Sequence, residues 1–333
     1  MKKYITLVLL GMIMLSSCHK KDNSIDGPNL NDVYGEFGVI NTLGQNLDSV
    51  DFAVGQTAYF TAQMSKIIDW KITITGQTSG AVKEITGTGS SLTQATTTWL
   101  GETTYFPVFG AEICDVQLTF EGEDDTLTST IKIIQSKLNP GFLISDFESG
   151  FNNQWTSFIQ SGADMDFQIK TDASSPQGNS YYNMAGTVDW DYLIGYLYFG
   201  ASAYGSPQMP ITGNGDNTYF NIMIYGEPGS VNTILLFQFQ EDDDLSGEFA
   251  NSSEDTYSLE IPVNWEGWKL YSVKYSDIPC LVNGQPSTPN GNGQHNPDRL
   301  NQVNMLHLAN PVTGFAKTKV DYIIFTQNEP LKP

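Results

Sequence analysis

The chain has 333 residues, of which 40% are hydrophobic, so it is long and apolar enough to bury one core or two. Its 16 basic and 37 acidic residues give a formal net charge of -21. A surface of that sign excludes nucleic acid as a partner and disfavours strongly anionic glycans, because both need basic side chains. Neutral polymers remain open as ligands, since charge effects are screened beyond about 8 Å at physiological salt.

Residues 1–18 follow the order of a bacterial lipoprotein signal. A basic start, MKK, precedes an apolar run over 4–15 that is too short to span a bilayer. The small residues before Cys18 resemble a lipobox, and this resemblance implies cleavage there and lipidation of Cys18. The alternative is an ordinary signal peptide with a cysteine at this place by chance.

Residues 19–34 are polar and contain Gly and Pro, which predicts a flexible tether between the anchor and the folded part. The charged segment directly after Cys18, HKKDN, partly resembles the surface-export signals of Bacteroidetes lipoproteins. This resemblance implies a protein anchored by lipid in the outer membrane and facing the cell exterior. A periplasmic location is the alternative.

Residues 35–138 are predicted to form a first domain of about seven short strands. Apolar and polar residues alternate over 57–63, 69–75, 116–120 and 130–134, with turn-forming residues between them. A length of about a hundred residues fits an immunoglobulin-like sandwich, and the segments around Trp70 and Trp99 resemble bacterial Ig-like or PKD-like spacer domains. We expect both tryptophans to be core residues rather than ligand contacts. The LNPG turn at 138–141 marks the boundary of this domain.

Residues 142–333 are predicted to form a second, more aromatic domain of about eleven strands, consistent with a jelly-roll β-sandwich. The strands are predicted over 143–148, 166–170, 180–186, 190–198, 219–225, 234–241, 257–261, 267–275, 303–308 and 320–326. The fold class is therefore all-β, with an N-terminal Ig-like β-sandwich followed by a jelly roll.

Three of these strands have one apolar face and one face of rings and amides. In the first, Trp190, Tyr192, Ile194, Tyr196 and Tyr198 alternate with Asp191, Leu193, Gly195, Leu197 and Phe199. In the second, Tyr219, Asn221, Met223 and Tyr225 alternate with Phe220, Ile222 and Ile224. In the third, Gln238 and Gln240 alternate with Leu235, Phe237 and Phe239. A solvated sheet face ordinarily carries Lys, Glu and Thr, so these faces indicate a binding surface.

Rings stack on the C–H faces of a sugar and amides hydrogen-bond its hydroxyls, so this pattern predicts glycan binding. The predicted contacts are Trp190, Tyr192, Tyr196, Tyr198, Tyr219, Asn221, Tyr225, Gln238 and Gln240. They form one surface only if their strands share a sheet. The alternative is that the rings lie under loops or in a contact between domains. The long loop over 281–299 is expected either to wall this surface, with His295 in contact, or to be merely solvated.

Several segments of the second domain resemble the galactose-binding-like jelly-roll fold. They are DFE at 146–148, TYFNIMIYG at 218–226, LLFQFQEDD at 235–243, GWKLYSVKYSDI at 267–278 and VDYIIFTQNEP at 320–330. With the lipobox and the spacer, the arrangement resembles surface glycan-binding lipoproteins of Bacteroidetes polysaccharide-utilisation systems. The resemblance implies capture of a polysaccharide or oligosaccharide beside an outer-membrane glycan transporter complex. The acidity of the chain predicts that this glycan is neutral.

The same resemblance implies a structural Ca²⁺ where the first and last strands of the jelly roll meet. The matching positions are Asp146, Glu148 and Asp321, which offer hard oxygen ligands. The alternative is that these carboxylates are solvent-facing charges at strand ends. The acidic run over 241–244 lacks EF-hand spacing and is predicted to be a solvated turn.

Catalytic motifs are absent from the sequence: it has no G-x-S-x-G elbow, P-loop, dinucleotide fingerprint or HExxH. The protein is therefore predicted not to be an enzyme. Two alternatives stay open, a structural or adhesive lipoprotein that binds a partner protein and a jelly-roll glycoside hydrolase or lyase. Cys114 and Cys280 are expected to be two buried free thiols rather than a disulfide, because they fall in different domains.

Overall fold

The computed structural model describes residues 35–161, 164–188, 193–229, 233–309 and 314–333. Over these ranges the chain consists almost entirely of strands, as the sequence predicts. Among them, no helix has the length and apolar character needed to cross a membrane. The predicted signal, the lipidation site Cys18 and the tether lie outside the described residues.

Six strands form the N-terminal unit. They are β1 (Val39–Gln45), β2 (Ser49–Asp51), β3 (Phe60–Gly76), β4 (Val82–Leu92), β5 (Ile113–Phe120) and β6 (Thr126–Gln135). They hydrogen-bond into one sheet in the order β1-β3-β5-β6-β2, with β4 paired to β3 and with β2 parallel to β6. A 3₁₀ turn over Phe52–Val54 and one α-helical turn over Gln94–Thr97 connect them. Because all six strands belong to one sheet, the immunoglobulin-like assignment stays a prediction.

Strand β3 corrects the strand prediction for this unit. The segments 57–63 and 69–75 are predicted as separate strands, but residues 60–63 and 69–75 belong to one strand of 17 residues. Its pairing with β4 shifts register between Gln63 and Ile68, which lets one strand change direction without ending. Trp70 and Trp99 are 4% and 0% exposed, so the prediction that both are core residues is confirmed.

In the described residues of the C-terminal unit there are thirteen strands, and most of them lie in two facing sheets. They are β7 (Phe142–Ser145), β8 (Thr156–Ile159), β9 (Asp164–Thr171), β10 (Ser180–Val188), β11 (Leu193–Gly200), β12 (Thr218–Gly226), β13 (Thr233–Glu241), β14 (Thr256–Val263), β15 (Gly267–Lys274), β16 (Leu281–Val282), β17 (Gln285–Pro286), β18 (Leu300–Ala309) and β19 (Gly314–Gln327). Short 3₁₀ turns cover Ala201–Tyr204, Tyr275–Asp277 and Pro297–Arg299.

We call the sheet in the order β14-β13-β18-β11-β8 the front sheet. The back sheet has the order β15-β12-β19-β10-β9, with β7 paired to β19. All pairings in both sheets are antiparallel, which is the β-sandwich that the sequence predicts. The small β16–β17 hairpin stands apart from both.

The core of the C-terminal unit lies between the two sheets. The apolar alternation along β12 and β13 is confirmed, because each of its inward side chains is fully buried. They are Phe220, Ile222, Ile224, Leu235, Phe237 and Phe239. Each such side chain contributes about 1.5–3 kcal/mol of hydrophobic stabilisation, so the two strands are firmly fixed in their sheets.

The N-terminal unit packs on the outer side of the back sheet. Phe106 and Val108 contact an apolar cluster that includes Met223 and Leu331. The backbone N–H of Val108 donates to Pro176 O at 2.8 Å, which adds a polar link between the units. The outer surface of the back sheet is therefore partly a contact between units.

Candidate functional site

Four of the predicted glycan contacts lie on the outer side of the front sheet. Tyr196 and Tyr198 are on β11, and Gln238 and Gln240 are on β13, with β18 between these strands. Directly paired residues of antiparallel strands point to the same side of a sheet. The pairing therefore extends each of these residues into a row that crosses the sheet.

Three such rows define what we call the front face. The first row contains Phe158, Tyr196, Leu306, Leu236 and Glu260; the second contains Thr156, Tyr198, Asn304, Gln238 and Ser258; the third contains Gly200, Gln302, Gln240 and Thr256. Within these rows, Glu260 is the one residue that carries a charge. The front face is therefore aromatic at the β8–β11 side and rich in amides at its centre.

The aromatic side of the front face is a stack of three rings. Tyr196 and Tyr198 lie with their ring centroids 3.9 Å apart and their planes 12° from parallel. Phe158 stacks on Tyr196 with a centroid distance of 5.1 Å. Burial, together with the neighbouring Tyr196 hydroxyl, raises the pKa of Tyr198, so its hydroxyl stays protonated at neutral pH and can donate a hydrogen bond.

The position beside this stack carries no side chain. Tyr196 covers one ring face of Tyr198. The next residue along β11 on the same side of the sheet is Gly200, which has no side chain. A Cβ atom there would lie 3.6 Å from Ser202 Oγ and 3.9 Å from Gln302 Oε1, which are ordinary van der Waals contacts without a clash.

The amides of the front face are linked to one another. Gln302 Nε2 donates to Gln240 Oε1 at 3.1 Å and to Asn304 Oδ1 at 2.7 Å. Asn304 is only 2% exposed, whereas Gln238, Gln240 and Gln302 are half-buried. The linked amides are thus held in fixed positions at the surface, which lowers the entropy cost of binding a ligand.

A segment that includes β16 and β17 borders the front face along β14. The N–H of Ser258 donates to Pro279 O at 2.7 Å, and Gly284 lies beside the Glu260 carboxylate. This agrees with the expectation that the loop over 281–299 walls the surface on one side. His295 does not line that wall, because its ring stacks on Tyr257 at 3.8 Å and its Nε2 lies 2.8 Å from Ile278 O.

A β-bulge corrects the faces predicted for β11. Pairing with β18 shifts register between Leu193 and Gly195, so the alternation is interrupted there. Ile194 is consequently fully buried, although the alternation predicts it on the aromatic side, and Leu193 is half-buried rather than core. Leu197 and Phe199 are core residues, as expected. Trp190 and Tyr192 lie outside the described residues, and their place in the site stays a prediction.

Three further predicted contacts lie on the opposite side of the sandwich. Tyr219, Asn221 and Tyr225 are on β12 of the back sheet, so they do not join the front face. Asn221 is fully buried and is not available to a ligand: its Nδ2 donates to Tyr219 O, Ile324 O and Thr326 Oγ1, and its Oδ1 accepts from the N–H of Leu331. The amide therefore holds the C-terminal segment against the sheet.

Tyr225 belongs to a second aromatic group on the back sheet. Lys319 Nζ lies 4.6 Å from the centroids of both the Tyr225 and the Tyr181 rings. Trp268 contacts Tyr225 edge to face at 5.4 Å, and its Nε1 donates to Ser174 O. A cavity of about 540 Å³ beside this group also touches Tyr105 of the N-terminal unit. These rings already have partners, as expected of a contact between domains.

The predicted calcium ligands have partners of their own. Glu148 Oε1 accepts from the N–H groups of Asn179 and Ser180 at 2.7 and 2.6 Å. Asp321 accepts from Ser175 Oγ and from the N–H of Tyr322, and its burial raises its pKa to about 9. The oxygens of Asp146, Glu148 and Asp321 do not form a group within 4.8 Å of one another. A metal ion at these three residues therefore stays a prediction.

The acidic run over 241–244 is not the solvated turn that the sequence predicts. Glu241 and Asp242 are both fully buried. Burial raises the pKa of Glu241 to about 8. Two groups of carboxylates, one with Glu241 and one with Asp242, come close enough to hold a metal ion. The charges of the run are buried because the strand end and two neighbouring loops close over them.

The prediction that Cys114 and Cys280 are free thiols is confirmed, but Cys114 alone of the two is buried and Cys280 is half-buried. Burial raises the pKa of the Cys114 thiol to about 12, so it is chemically inert at neutral pH.

Three ring or amide residues of the front face are absent from the predicted contacts. Phe158 lies on β8, a strand of only four residues that is too short for a clear alternation. Gln302 and Asn304 lie on β18, where they alternate with Val303 and Met305. That alternation is the available signal for the β18 residues, because buried and outward positions differ there as they do on β13.

Fold and site together define an all-β protein with a C-terminal antiparallel β-sandwich and an open sheet face of rings and amides. No family model and no curated protein matches the chain. One similar solved structure comes from a study of the promiscuous specificity of carbohydrate-binding modules from the β-sandwich superfamily. It is 14% identical in sequence, and the match covers 87% of this chain and 98% of that chain, with a TM-score of 0.37.

A family 11 carbohydrate-binding module from Clostridium thermocellum, in complex with a β-1,3-1,4-mixed-linked tetrasaccharide, is 19% identical. It covers 57% of this chain and 98% of its own length, with a TM-score of 0.38. SGBP-B from a complex xyloglucan utilization locus in Bacteroides uniformis is 11% identical and covers 85% of this chain and 72% of its own, with a TM-score of 0.36. TM-scores of this size are too low to assign a ligand to this chain.

Proposed function

We propose that the protein is a non-catalytic glycan-binding protein that holds a neutral polysaccharide on the front face. The observation that carries this proposal is the ring stack of Tyr196 and Tyr198 beside the linked amides of Gln302, Gln240 and Asn304. Rings and amides in one surface match the two chemical sides of a sugar, its C–H faces and its hydroxyls.

We place the ligand on the ring face of Tyr198 that Tyr196 does not cover. A sugar ring fits over Gly200, stacks on Tyr198 and places its hydroxyls within reach of Gln302 and Gln240. Because the front face is an open surface that crosses several strands, it suits a polymer whose neighbouring units extend beyond this contact. The near-absence of charge in the three rows favours a neutral glycan over an anionic one.

Each stacking or hydrogen-bonding contact contributes about 1 kcal/mol, so a single site gives affinity in the micromolar to millimolar range. Many copies on one surface would compensate for this weakness through multivalent attachment to one polymer. The lipid anchor at Cys18, a place on the outer membrane facing the exterior and delivery to a glycan transporter complete the proposal. Their support is the N-terminal sequence and its resemblance to surface lipoproteins.

A structural Ca²⁺ in the C-terminal unit is also part of the proposal. The observation in its favour is that buried carboxylates come together in this unit without an equal number of basic groups around them. The ion would neutralise carboxylates and fix loops, and it would take no part in contacts with the sugar.

The test is retardation of the purified protein in native gels that contain one of a panel of neutral polysaccharides. Isothermal titration calorimetry on the polysaccharide that retards it most gives the affinity. Retardation by at least one neutral polysaccharide, without release of reducing sugar, is expected. If no member of a broad panel retards the protein, glycan binding is wrong and a partner protein is the better candidate. Release of reducing sugar would show an enzyme instead.

A further inference from the structure

The carboxylates at the end of β13 separate into two groups. Glu241 and Asp243 join Asp255, while Asp242 and Asp244 join Glu254. Glu241 is the last residue of β13, and Asp243 and Asp244 lie in the turn that follows it, so one acidic run supplies both groups. In each group, the three ligand oxygens lie within 4.8 Å of one another. We call the first group the Glu241 cluster and the second group the Asp242 cluster.

The Glu241 cluster buries more negative charge than its surroundings neutralise. Glu241 and Asp255 are fully buried, and the side chain of Asp243 is 9% exposed. Arg299 is the basic residue in ion-pair contact with it, and its Nη1 lies 4.0 Å from Asp243 Oδ1. That nitrogen donates at 2.6 Å to the carbonyl oxygen of Asp243 instead. Buried charges without partners are costly, so the cluster needs a further positive charge.

Most oxygens of the Glu241 cluster accept hydrogen bonds from the loop that covers it. The N–H groups of Gly291 and Gly293 donate to the two oxygens of Asp255 at 2.6 and 2.7 Å. Asn292 Nδ2 donates to Asp243 Oδ1 at 2.6 Å. These bonds orient the carboxylates around a common centre.

One buried oxygen of the cluster has no hydrogen-bond partner. Glu241 Oε1 accepts from the Tyr275 hydroxyl at 2.8 Å and from the N–H of Asn296 at 2.9 Å. Glu241 Oε2 accepts from no donor, although the residue is fully buried. A buried anionic oxygen in this state requires either a cation or a proton.

We propose that Glu241, Asp243 and Asp255 bind one Ca²⁺ ion. Carboxylate oxygens are the ligands of hard divalent cations, and oxygens within 4.8 Å of one another fit around an ion with bonds of about 2.4 Å. Water and backbone carbonyl groups fill the remaining positions. The ion joins the end of β13 to the segment before β14 and to the covering loop, and it does so independently of any glycan.

The Asp242 cluster provides a matched comparison within the same chain. Asp242 Oδ2 accepts from the N–H of Gly247 and from Gln208 Nε2, both at 2.7 Å, and Oδ1 accepts from the N–H of Ser246. Its buried aspartate is thus satisfied by donors of the protein. Asp244, which is exposed, supplies a control substitution one residue away from Asp243.

The experiment titrates CaCl₂ into the EDTA-treated protein by calorimetry and follows the melting temperature in parallel. We expect one binding event per chain and a melting temperature that rises with Ca²⁺ concentration. Glu241→Gln and Asp255→Asn are each expected to lower the Ca²⁺ affinity at least about tenfold, a loss of about 1.4 kcal/mol. Asp244→Asn is expected to leave it unchanged.

The absence of both Ca²⁺ heat and a thermal shift in the unsubstituted protein overturns the inference and leaves a proton on Glu241 as the neutralising charge. Binding that survives Glu241→Gln and Asp255→Asn but disappears in Asp321→Asn overturns it too, and places the ion at the last strand. If a variant does not fold, Tb³⁺ luminescence of the unsubstituted protein tests whether a metal ion binds at the Glu241 cluster. Emission sensitised by the adjacent Tyr275 and displaced by Ca²⁺ supports the site; no such emission contradicts it.

Discussion

The rings of Tyr196 and Tyr198 stack face to face across one residue of β11, with 3.9 Å between their centroids. This contact fixes both rings, and the next residue on the same side of β11 is Gly200. The proposed site therefore has a defined geometry that substitutions can test one element at a time.

Tyr198→Ala is expected to lower the affinity for the retarding polysaccharide at least about tenfold, or about 1.4 kcal/mol, because the stacking face is lost. Calorimetry measures the change. Tyr225→Ala is the matched control: it removes a half-buried tyrosine of the back sheet and is expected to leave the affinity unchanged. Equal losses in both variants would contradict the position of the site.

Gly200→Val is expected to weaken binding by a similar factor without unfolding the protein. Valine favours strands, and its Cβ would make only ordinary van der Waals contacts, so the added methyl groups occupy the space proposed for the sugar. Calorimetry with the same polysaccharide gives the affinity, and thermal unfolding confirms that the fold is intact. Undiminished affinity in a folded Gly200→Val variant would show that the ligand does not lie over Gly200.

Asn221 is buried and Gln238 is half-buried. Substitution by alanine is expected to affect stability at Asn221 and glycan binding at Gln238. Asn221→Ala leaves several buried backbone groups without partners and is expected to cost about 2–4 kcal/mol in free energy of unfolding. Gln238→Ala is expected to change that free energy by less than about 1 kcal/mol but to weaken glycan binding. Urea unfolding and calorimetry measure the two quantities. The reverse pattern would contradict the assignment of Asn221 to structure.

His307 is expected to make the protein less stable in mild acid. Its ring is fully buried with no partner on either nitrogen, and burial lowers its pKa from 6.5 to about 3. The unfolded chain therefore takes up a proton below about pH 6.5 while the folded chain does not, so this residue lowers the free energy of unfolding as the pH falls towards 3.

Between about pH 7 and pH 5 this linkage amounts to about 2 kcal/mol. In His307→Leu, the difference in free energy of unfolding between these two pH values is expected to shrink by that amount, as measured by urea unfolding. The contributions of carboxylates that titrate in the same pH range cancel, because the unsubstituted protein and His307→Leu share them. An unchanged difference would mean that His307 is hydrated or protonated in the folded protein.

The sequence by itself determined which side chains of β12 and β13 are buried. Phe220, Ile222 and Ile224 alternate with polar residues without interruption, and burial of one strand face dictates that pattern locally. The same reasoning placed Trp70 and Trp99 in the core. It failed at Ile194, because a β-bulge depends on the partner strand and leaves no local signal in the sequence.

Only the tertiary structure decided which faces share a surface. Tyr198 and Gln238 lie in one row because both pair with Asn304 of β18, which follows β11 by about 100 residues. Tyr219 and Tyr225, in contrast, lie on the opposite side of the sandwich. Strand order arises from long-range pairing, which the alternation within one strand does not encode. The burial of the acidic run at Glu241 has the same origin, since distant loops close over it.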